Sequence, residues 1–182
     1  MRSHRSLMAV MAAIVLVITG LVAIPSQASA AGVHTWYEIY AFNSGKCLDV
    51  TGGVRDAPNG TPIQQWTCTG RGNQLWRLAY TSSGATVFIS YLNDKCLDVT
   101  NASTSDGARL QLWSCSGQSN QSWDYYTGSH GTTWKKIKSV KSGKCVDVTG
   151  GPNATGNGVP IQQWTCLGGV TNQEFNFHRL IN

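Results

Sequence analysis

The hexapeptide IQQWTC at residues 63–68 occurs three times in this chain, with small changes. It returns as LQLWSC at residues 110–115 and again as IQQWTC at residues 161–166. Each copy follows a CLDV-type tetrapeptide whose cysteine recurs every 49 residues, at Cys47, Cys96 and Cys145. Each copy also precedes an Asn-Gln pair, which begins at Asn73, Asn120 and Asn172. Three motifs that recur in one order predict a fold built from three equivalent units.

The N-terminal segment has the composition of a secretory signal peptide. Arg2 and Arg5 provide a basic start, residues 7–24 are uncharged and mostly apolar, and residues 28–30 are Ala-Ser-Ala. We therefore expect a signal peptide at residues 1–30, secretion, and no membrane insertion after cleavage. Residues 31–182 then form one domain, with repeats at about 37–81, 86–127 and 135–179. A membrane anchor is the alternative, because 18 uncharged residues almost span a bilayer.

The charge of the chain gives little support for nucleic-acid binding. The signal peptide carries two arginines, so its removal lowers the formal charge from +5 to +3. Nucleic-acid-binding proteins have a much stronger basic patch or stripe. Five lysines lie close together in the sequence and could attract an acidic polymer. We expect a solvated face instead, formed by Lys135, Lys136, Lys138, Lys141 and Lys144.

The six cysteines lie beyond the signal peptide, two in each repeat. An even number in a secreted chain indicates disulfides, although six cysteines allow 15 connectivities. The repeat favours pairing within each unit, which joins Cys47 to Cys68, Cys96 to Cys115, and Cys145 to Cys166. A zinc site is not indicated, because no CxxC occurs and the histidines beyond residue 30 do not recur with the cysteines. We expect neither a metal nor a cofactor.

Short alternating or apolar runs, such as CLDV, IQQW and TVFISYL, predict β-strands separated by turns rich in glycine and asparagine. No segment beyond the signal peptide has a sustained helical period. In the first CLDV, the strand period of two places Leu48 and Val50 on one face, with Cys47 and Asp49 on the other. We therefore expect Asp49 to stand on the outside of a strand whose other face is core.

Three all-β units, each with a Gln-x-Trp and an Asn-Gln pair, resemble the ricin B-type lectin family of carbohydrate-binding modules with QxW repeats. The resemblance extends over about residues 36–180. It implies an all-β fold, the β-trefoil, in which a six-stranded barrel is capped by three hairpins with pseudo-threefold symmetry. It also implies a secreted lectin without catalytic activity that binds galactose- or xylose-type sugars or polysaccharides through up to three equivalent pockets. We expect this lectin to be a monomer.

The residue types in the repeated motifs suit carbohydrate binding. A carboxylate accepts hydrogen bonds from vicinal sugar hydroxyls, an asparagine both donates and accepts, and an aromatic ring covers the apolar face of a pyranose. The resemblance implies three pockets, formed by Asp49, Gln64, Trp66, Asn73 and Gln74; by Asp98, Gln111, Trp113, Asn120 and Gln121; and by Asp147, Gln162, Trp164, Asn172 and Gln173. It also implies that Trp76, Trp123 and Phe175 lie inside the barrel.

Other interpretations of these motifs remain open from the sequence. The glutamine of each Gln-x-Trp could tie strands together without touching sugar, and the aspartates could cap turns. Trefoil proteins also include protease inhibitors, and a lectin domain can target a separate glycoside hydrolase to its glycan. An independent glycosidase is disfavoured, because it needs two carboxyl groups at one bond. Here the repeated aspartates fall in separate units, and the only glutamates are Glu38 and Glu174.

Overall fold

The computed structural model describes residues 34–180, and in this part of the chain twelve β-strands alternate with turns. The first repeat contains β1 (Trp36–Ala41), β2 (Cys47–Val50), β3 (Ile63–Trp66) and β4 (Leu75–Tyr80). The second contains β5 (Thr86–Ser90), β6 (Cys96–Val99), β7 (Leu110–Trp113) and β8 (Trp123–Gly128). The third contains β9 (Gly131–Ser139), β10 (Cys145–Val148), β11 (Val159–Trp164) and β12 (Phe175–Leu180). Four 3₁₀ helices complete the described elements, at Gly72–Gln74, Thr100–Ala102, Ser119–Gln121 and Thr171–Gln173.

The predicted signal peptide at residues 1–30 lies outside the described residues, so its cleavage and the proposed domain boundaries stay predictions. Within residues 34–180, no helix has both the length and the apolar character needed to cross a membrane.

Six of the strands close into a barrel. β1 pairs with β4 and β12, β5 pairs with β4 and β8, and β9 pairs with β8 and β12, all antiparallel. Because the pairing returns to the strand where it began, the barrel has no free edge. The other strands form the hairpins β2–β3, β6–β7 and β10–β11, each joined to one barrel strand. The predicted β-trefoil is confirmed.

The core fills the barrel and the undersides of the hairpins. Trp76, Trp123 and Phe175 are fully buried at equivalent positions, as the resemblance implied. The two indole N–H groups donate to the carbonyl oxygens of Leu48 and Leu97 at 3.3 Å, so these buried donors are satisfied. This core fixes the orientation of each hairpin, because the inner residues of every CLDV strand pack into it.

One disulfide in each repeat joins the hairpin to the loop that follows it. These bonds link Cys47 with Cys68, Cys96 with Cys115, and Cys145 with Cys166, which confirms the pairing expected from the repeat. The sequence separations are 21, 19 and 21 residues, so the three closed loops are nearly equal in length.

The near-equal loops predict near-equal contributions to stability. Replacing both cysteines of any one pair with alanine should lower the free energy of unfolding by about 3 kcal/mol, because loop-closure entropy depends only weakly on length. Urea unfolding followed by tryptophan fluorescence measures this loss for the three double variants. If one pair contributed nothing while another was essential, the structural equivalence of the repeats would not extend to their stability.

Candidate functional site

The first repeat gathers its predicted site residues around the carboxylate of Asp49. β2 and β3 pair in a register that sets Asp49 directly opposite Gln64. Because side chains alternate along a strand, the Gln-x-Trp spacing places Gln64 and Trp66 on the same face of the hairpin as Asp49. The 3₁₀ helix that precedes β4 brings Asn73 and Gln74 to the same carboxylate. All five predicted residues line one open concavity of about 410 Å³.

Three carboxamides hold the Asp49 carboxylate. Gln64 Nε2 donates to Oδ1 at 2.8 Å, while Asn73 Nδ2 and Gln74 Nε2 donate to Oδ2 at 2.6 and 2.9 Å. Leu48 and Val50 belong to the core and Asp49 does not, as expected from the strand period, but Asp49 is not exposed, since only 3% of the residue is accessible. The strand alternation does turn Asp49 away from the core, but the amides then cover it. Asp49 therefore forms the floor of the pocket.

The second and third repeats reproduce this arrangement. Asp98 and Asp147 are each held by three amides at 2.7 to 3.0 Å, donated by Gln111, Asn120 and Gln121 and by Gln162, Asn172 and Gln173 respectively. Burial raises the pKa of Asp49, Asp98 and Asp147 above the ordinary aspartate value, and hydrogen bonds from the amides offset part of this rise. The sequence predicted this constellation three times, and the structure assembles it three times.

The glutamine of each Asn-Gln pair is hydrogen-bonded to other groups of the protein. Gln74 Nε2 donates to Asp49 and to the carbonyl oxygen of Thr67, and its Oε1 accepts from the backbone N–H and the hydroxyl of Thr69. A carboxamide offers two donors and two acceptor sites, so Gln74 is fully used. Gln121 is used in the same way. These glutamines position the carboxylate and have no group left for a ligand.

Other groups at each pocket remain open. The Asp49 carboxylate has about four acceptor sites, and the amides occupy three of them. Among the described residues, no donor reaches the Oδ1 atoms of Asn73, Asn120 and Asn172. Trp66, Trp113 and Trp164 are 40%, 42% and 39% exposed, whereas tryptophan is on average highly buried. Each pocket thus presents acceptors beside an accessible aromatic surface.

Each pocket is also bordered by a turn from a neighbouring repeat. The turns, here called inter-repeat turns, are Asn59–Gly60, Asp106–Gly107 and Asn157–Gly158. In each turn, the side-chain oxygen of the Asn or Asp accepts a hydrogen bond from the backbone N–H of the residue after the tryptophan of the bordered pocket, at 2.6 to 3.0 Å. The backbone N–H of the turn glycine donates, at 2.8 to 2.9 Å, to a backbone carbonyl of the same pocket. That carbonyl belongs to the residue between the glutamine and the tryptophan of the Gln-x-Trp motif. The first repeat borders the second pocket, the second borders the third, and the third borders the first.

The inter-repeat turns require glycine, because the three glycines have φ between +80° and +88°. A methyl group on Gly158 would lie 3.8 Å from the edge of the Trp66 indole, so the turn lies against the ring. These residues are not among those that the repeated motifs predicted for the site. A signal was present, since Asn59, Asp106 and Asn157 each lie seven residues before a pocket tryptophan and directly before glycine.

A family model described as the ricin-type β-trefoil lectin domain matches residues 35–175. The chain belongs to this family. Its members are carbohydrate-binding domains, so the lectin fold and the carbohydrate-binding character of the chain are established together. No curated protein sequence is significantly similar to this lectin domain.

Solved structures agree with the family. A designed threefold-symmetric protein, ThreeFoil, is 34% identical with a TM-score of 0.72, over 80% of this chain and 99% of that one. An exo-β-1,3-galactanase from Clostridium thermocellum is 34% identical with a TM-score of 0.73. The match covers 80% of this chain and 30% of the galactanase chain. The Macrolepiota procera ricin B-like lectin, solved with lactose, is 19% identical with a TM-score of 0.67, over 80% of this chain and 95% of that one.

The third repeat of the lectin domain departs from the other two beside its pocket. Leu167 stands where the first repeat has Thr69, so the hydroxyl that would donate to the glutamine is absent. Lys136 replaces it, since its Nζ lies 3.4 Å from Gln173 Oε1 and donates to the Leu167 carbonyl at 2.6 Å. Burial lowers the pKa of Lys136, which is only 4% exposed. The expectation of a solvated lysine face is therefore wrong for this residue.

The raised aspartate pKa values predict how the lectin domain responds to acid. The three carboxyls gain protons in the folded state at a pH above the ordinary value of 3.8, and protonation removes the acceptor sites that face the pocket. Because the folded pKa is the higher one, protonation of these groups adds to folding stability as the pH falls. Binding of a neutral sugar should therefore decline in acid with a midpoint above 3.8, while circular dichroism still reports the folded domain. A binding midpoint at or below 3.8 would contradict this assignment.

The inter-repeat turns predict that one repeat controls the pocket of another. Asn157→Ala removes the acceptor for the Thr67 N–H, so the first pocket should bind about fivefold more weakly, equivalent to the loss of one hydrogen bond of ~1 kcal/mol. The second and third pockets should be unchanged. Sugar titrations followed through the indole N–H resonances of the three pocket tryptophans measure each pocket separately. Asn153→Ala, at an exposed residue of the same loop, is the matched control, and equal effects of the two variants would refute the assignment.

Proposed function

We propose that this protein is a secreted lectin without catalytic activity, which binds carbohydrate at the three pockets around Asp49, Asp98 and Asp147. The observation that carries the proposal is the threefold combination of a buried carboxylate with a free acceptor site and an indole about 40% exposed. Sugar hydroxyls bind the carboxylate and the asparagine Oδ1, and the apolar face of the ring stacks on the indole. The three disulfides support secretion, because such bonds form in oxidising compartments.

The proposed lack of catalytic activity is supported by the carboxyl groups of the pockets. Among the described residues, each concavity is lined by one carboxylate, which is Asp49, Asp98 or Asp147. A glycosidase places a general acid and a second carboxylate on opposite sides of the scissile bond. A single carboxylate that already accepts three amide hydrogen bonds can bind hydroxyl groups, but it cannot provide both functions.

Galactose- or xylose-type sugars are the proposed ligands. The Macrolepiota procera lectin, which has the same fold, was solved with the galactoside lactose. An open pocket with one ring and few polar groups should bind a monosaccharide only at about millimolar Kd, or about −4 kcal/mol. Three pockets related by pseudo-threefold symmetry allow a polysaccharide to engage more than one of them. The resulting avidity gives useful binding without additional contacts.

A second proposed role is to direct a glycoside hydrolase to its polysaccharide. The observation in its favour is the 34% identity to the exo-β-1,3-galactanase. The matched region makes up 30% of the galactanase chain. In such an arrangement the lectin fold binds the polymer and another domain performs hydrolysis. The same pockets would serve both roles, so the binding experiment below applies to either.

Removal of the three exposed indoles should abolish polysaccharide binding without unfolding the domain. The variant Trp66→Ala/Trp113→Ala/Trp164→Ala loses the stacking surface of all pockets, and each single variant should show weaker retention because avidity falls. Affinity electrophoresis in gels that contain galactan or xylan measures retention. Circular dichroism checks folding, and Tyr80→Ala, which removes an aromatic side chain that is 64% exposed and outside the pockets, is the matched control.

Tryptophan variants test the proposal better than aspartate variants. Alanine at Asp49 would strand three amide donors, and an unsatisfied buried donor costs about 1–3 kcal/mol. Loss of binding would then be confused with loss of structure. If the folded triple tryptophan variant were retained as strongly as the wild-type protein, the three pockets would not be the binding sites.

A further inference from the structure

The three pockets differ at one equivalent position of their rims. Arg71, Gln118 and Val170 each directly precede the 3₁₀ helix of their repeat and have the same extended backbone, with φ of −81°, −73° and −99°. Each of them lines the pocket of its own repeat. Because the backbone is shared, the side chains occupy corresponding places beside the pocket asparagine. One position therefore carries a cation in the first pocket, a neutral amide in the second and an apolar group in the third.

Arg71 has no ionic partner among residues 34–180. Its side chain is exposed and takes part in none of the ion pairs of this region. Arg77, by comparison, pairs with Asp94 at 3.1 Å. Asp49, the carboxylate that lines this pocket, is covered by its three amides, and Glu38 accepts hydrogen bonds from Tyr40 and from the backbone of Gly70. The Arg71 guanidinium is therefore available to a ligand.

The rest of the rim supports the distinction between the pockets. Thr51 and Thr69 accompany Arg71 around the first pocket, so its rim is polar. The rim of the third pocket is more apolar, because Pro152, Leu167 and Val170 lie beside Thr149, which corresponds to Thr51. The floors of the two pockets are nearly identical, because the amide network around the aspartate allows little variation. Differences in specificity must then come from the rims.

We propose that the first pocket binds saccharides that carry an acidic group, and that Arg71 recognises this group. The inference rests on the proposed function, in which Asp49 and Trp66 hold the sugar ring. A guanidinium presents a planar fork of donors that matches a carboxylate or a sulfate ester. The charge of Asp49 repels an anion at the floor of the pocket, so the acidic substituent is directed to the rim, where Arg71 lies. The second and third pockets have Gln118 and Val170 at this position and bind neutral sugars. Arg109 lies beside the third pocket, but its guanidinium already donates to Thr149 Oγ1 and Gln162 Oε1.

Pairs of monosaccharides that differ in one acidic group test this proposal. The neutral probes are galactose and xylose. Galacturonic acid and galactose 6-sulfate are the acidic partners of galactose and separate carboxylate from sulfate recognition, and glucuronic acid is the acidic partner of xylose. The full chain is titrated while the indole N–H resonances of Trp66, Trp113 and Trp164 report the pockets individually. At the first pocket, an acidic sugar should bind about three- to tenfold more tightly than its neutral partner, as expected for a charged pair at an accessible rim.

Two substitutions assign the preference to one side chain. Arg71→Gln copies the second repeat and should abolish the acidic preference at the first pocket, while binding of the neutral sugar changes less than about twofold. Val170→Arg should create the preference at the third pocket. Arg179→Gln removes the same charge from an exposed residue of β12 outside the pockets and should change nothing, which controls for the net charge of the domain.

The outcomes separate this inference from the function on which it rests. Neutral and acidic sugars that bind the first pocket equally would overturn the role of Arg71 and leave the lectin function intact. The same holds if the preference survives Arg71→Gln, or if Arg179→Gln reduces it as much. If none of the probes perturbs any of the three indoles, both the proposed function and the inference fail.

Discussion

A buried carboxylate that accepts hydrogen bonds from three carboxamides is the interaction on which each repeat depends. Asp49 lies in a hairpin, Gln64 lies across from it, and Asn73 and Gln74 lie where the chain returns to the barrel. A charge can be buried in this way only when strong donors satisfy it, so the residue types at these positions are tightly constrained. The same contacts that join hairpin to barrel leave one acceptor site facing solvent. In the proposed function, structural stability and ligand binding therefore depend on the same carboxylate.

The pockets are structurally connected because the fold is cyclic. Each pocket takes its floor from one repeat and part of its border from an inter-repeat turn of another. The third repeat borders the first pocket through Asn157, 90 residues from Thr67 in the sequence. This contact exists because β11 pairs with β3, which sets Val159 opposite Gln65 and Pro160 opposite Gln64. A single repeat would therefore contain the residues that line a pocket but would lack the turn that lies against its tryptophan and glutamine.

The third repeat shows which parts of a pocket can vary. Gln173 Oε1 accepts from the Leu167 backbone N–H, and Lys136 from β9 supplies the second donor, in place of the hydroxyl of the other repeats. The rim has no such requirement, so Leu167 and Val170 make it apolar while Arg71 makes the first rim cationic. The buried network is the same in the three repeats, whereas the residues of the solvent-facing rim differ. The proposed differences in ligand preference are therefore located at the rims.

The sequence alone determined the three units, the disulfide pairing, and the aspartates, glutamines and tryptophans that meet at each site. These follow from local rules, since the repeat interval and the strand period of two place Asp49, Gln64 and Trp66 on one face of a hairpin. Only the tertiary structure decided that Asp49 is buried, that Lys136 leaves the solvated surface, and that a turn of another repeat borders each pocket. Burial depends on what covers a residue. The amides that cover Asp49 lie 15 to 25 residues away in the sequence, and Asn157 lies 90 residues from Thr67. The period of a single strand does not record contacts over these distances, so only the folded chain brings the groups together.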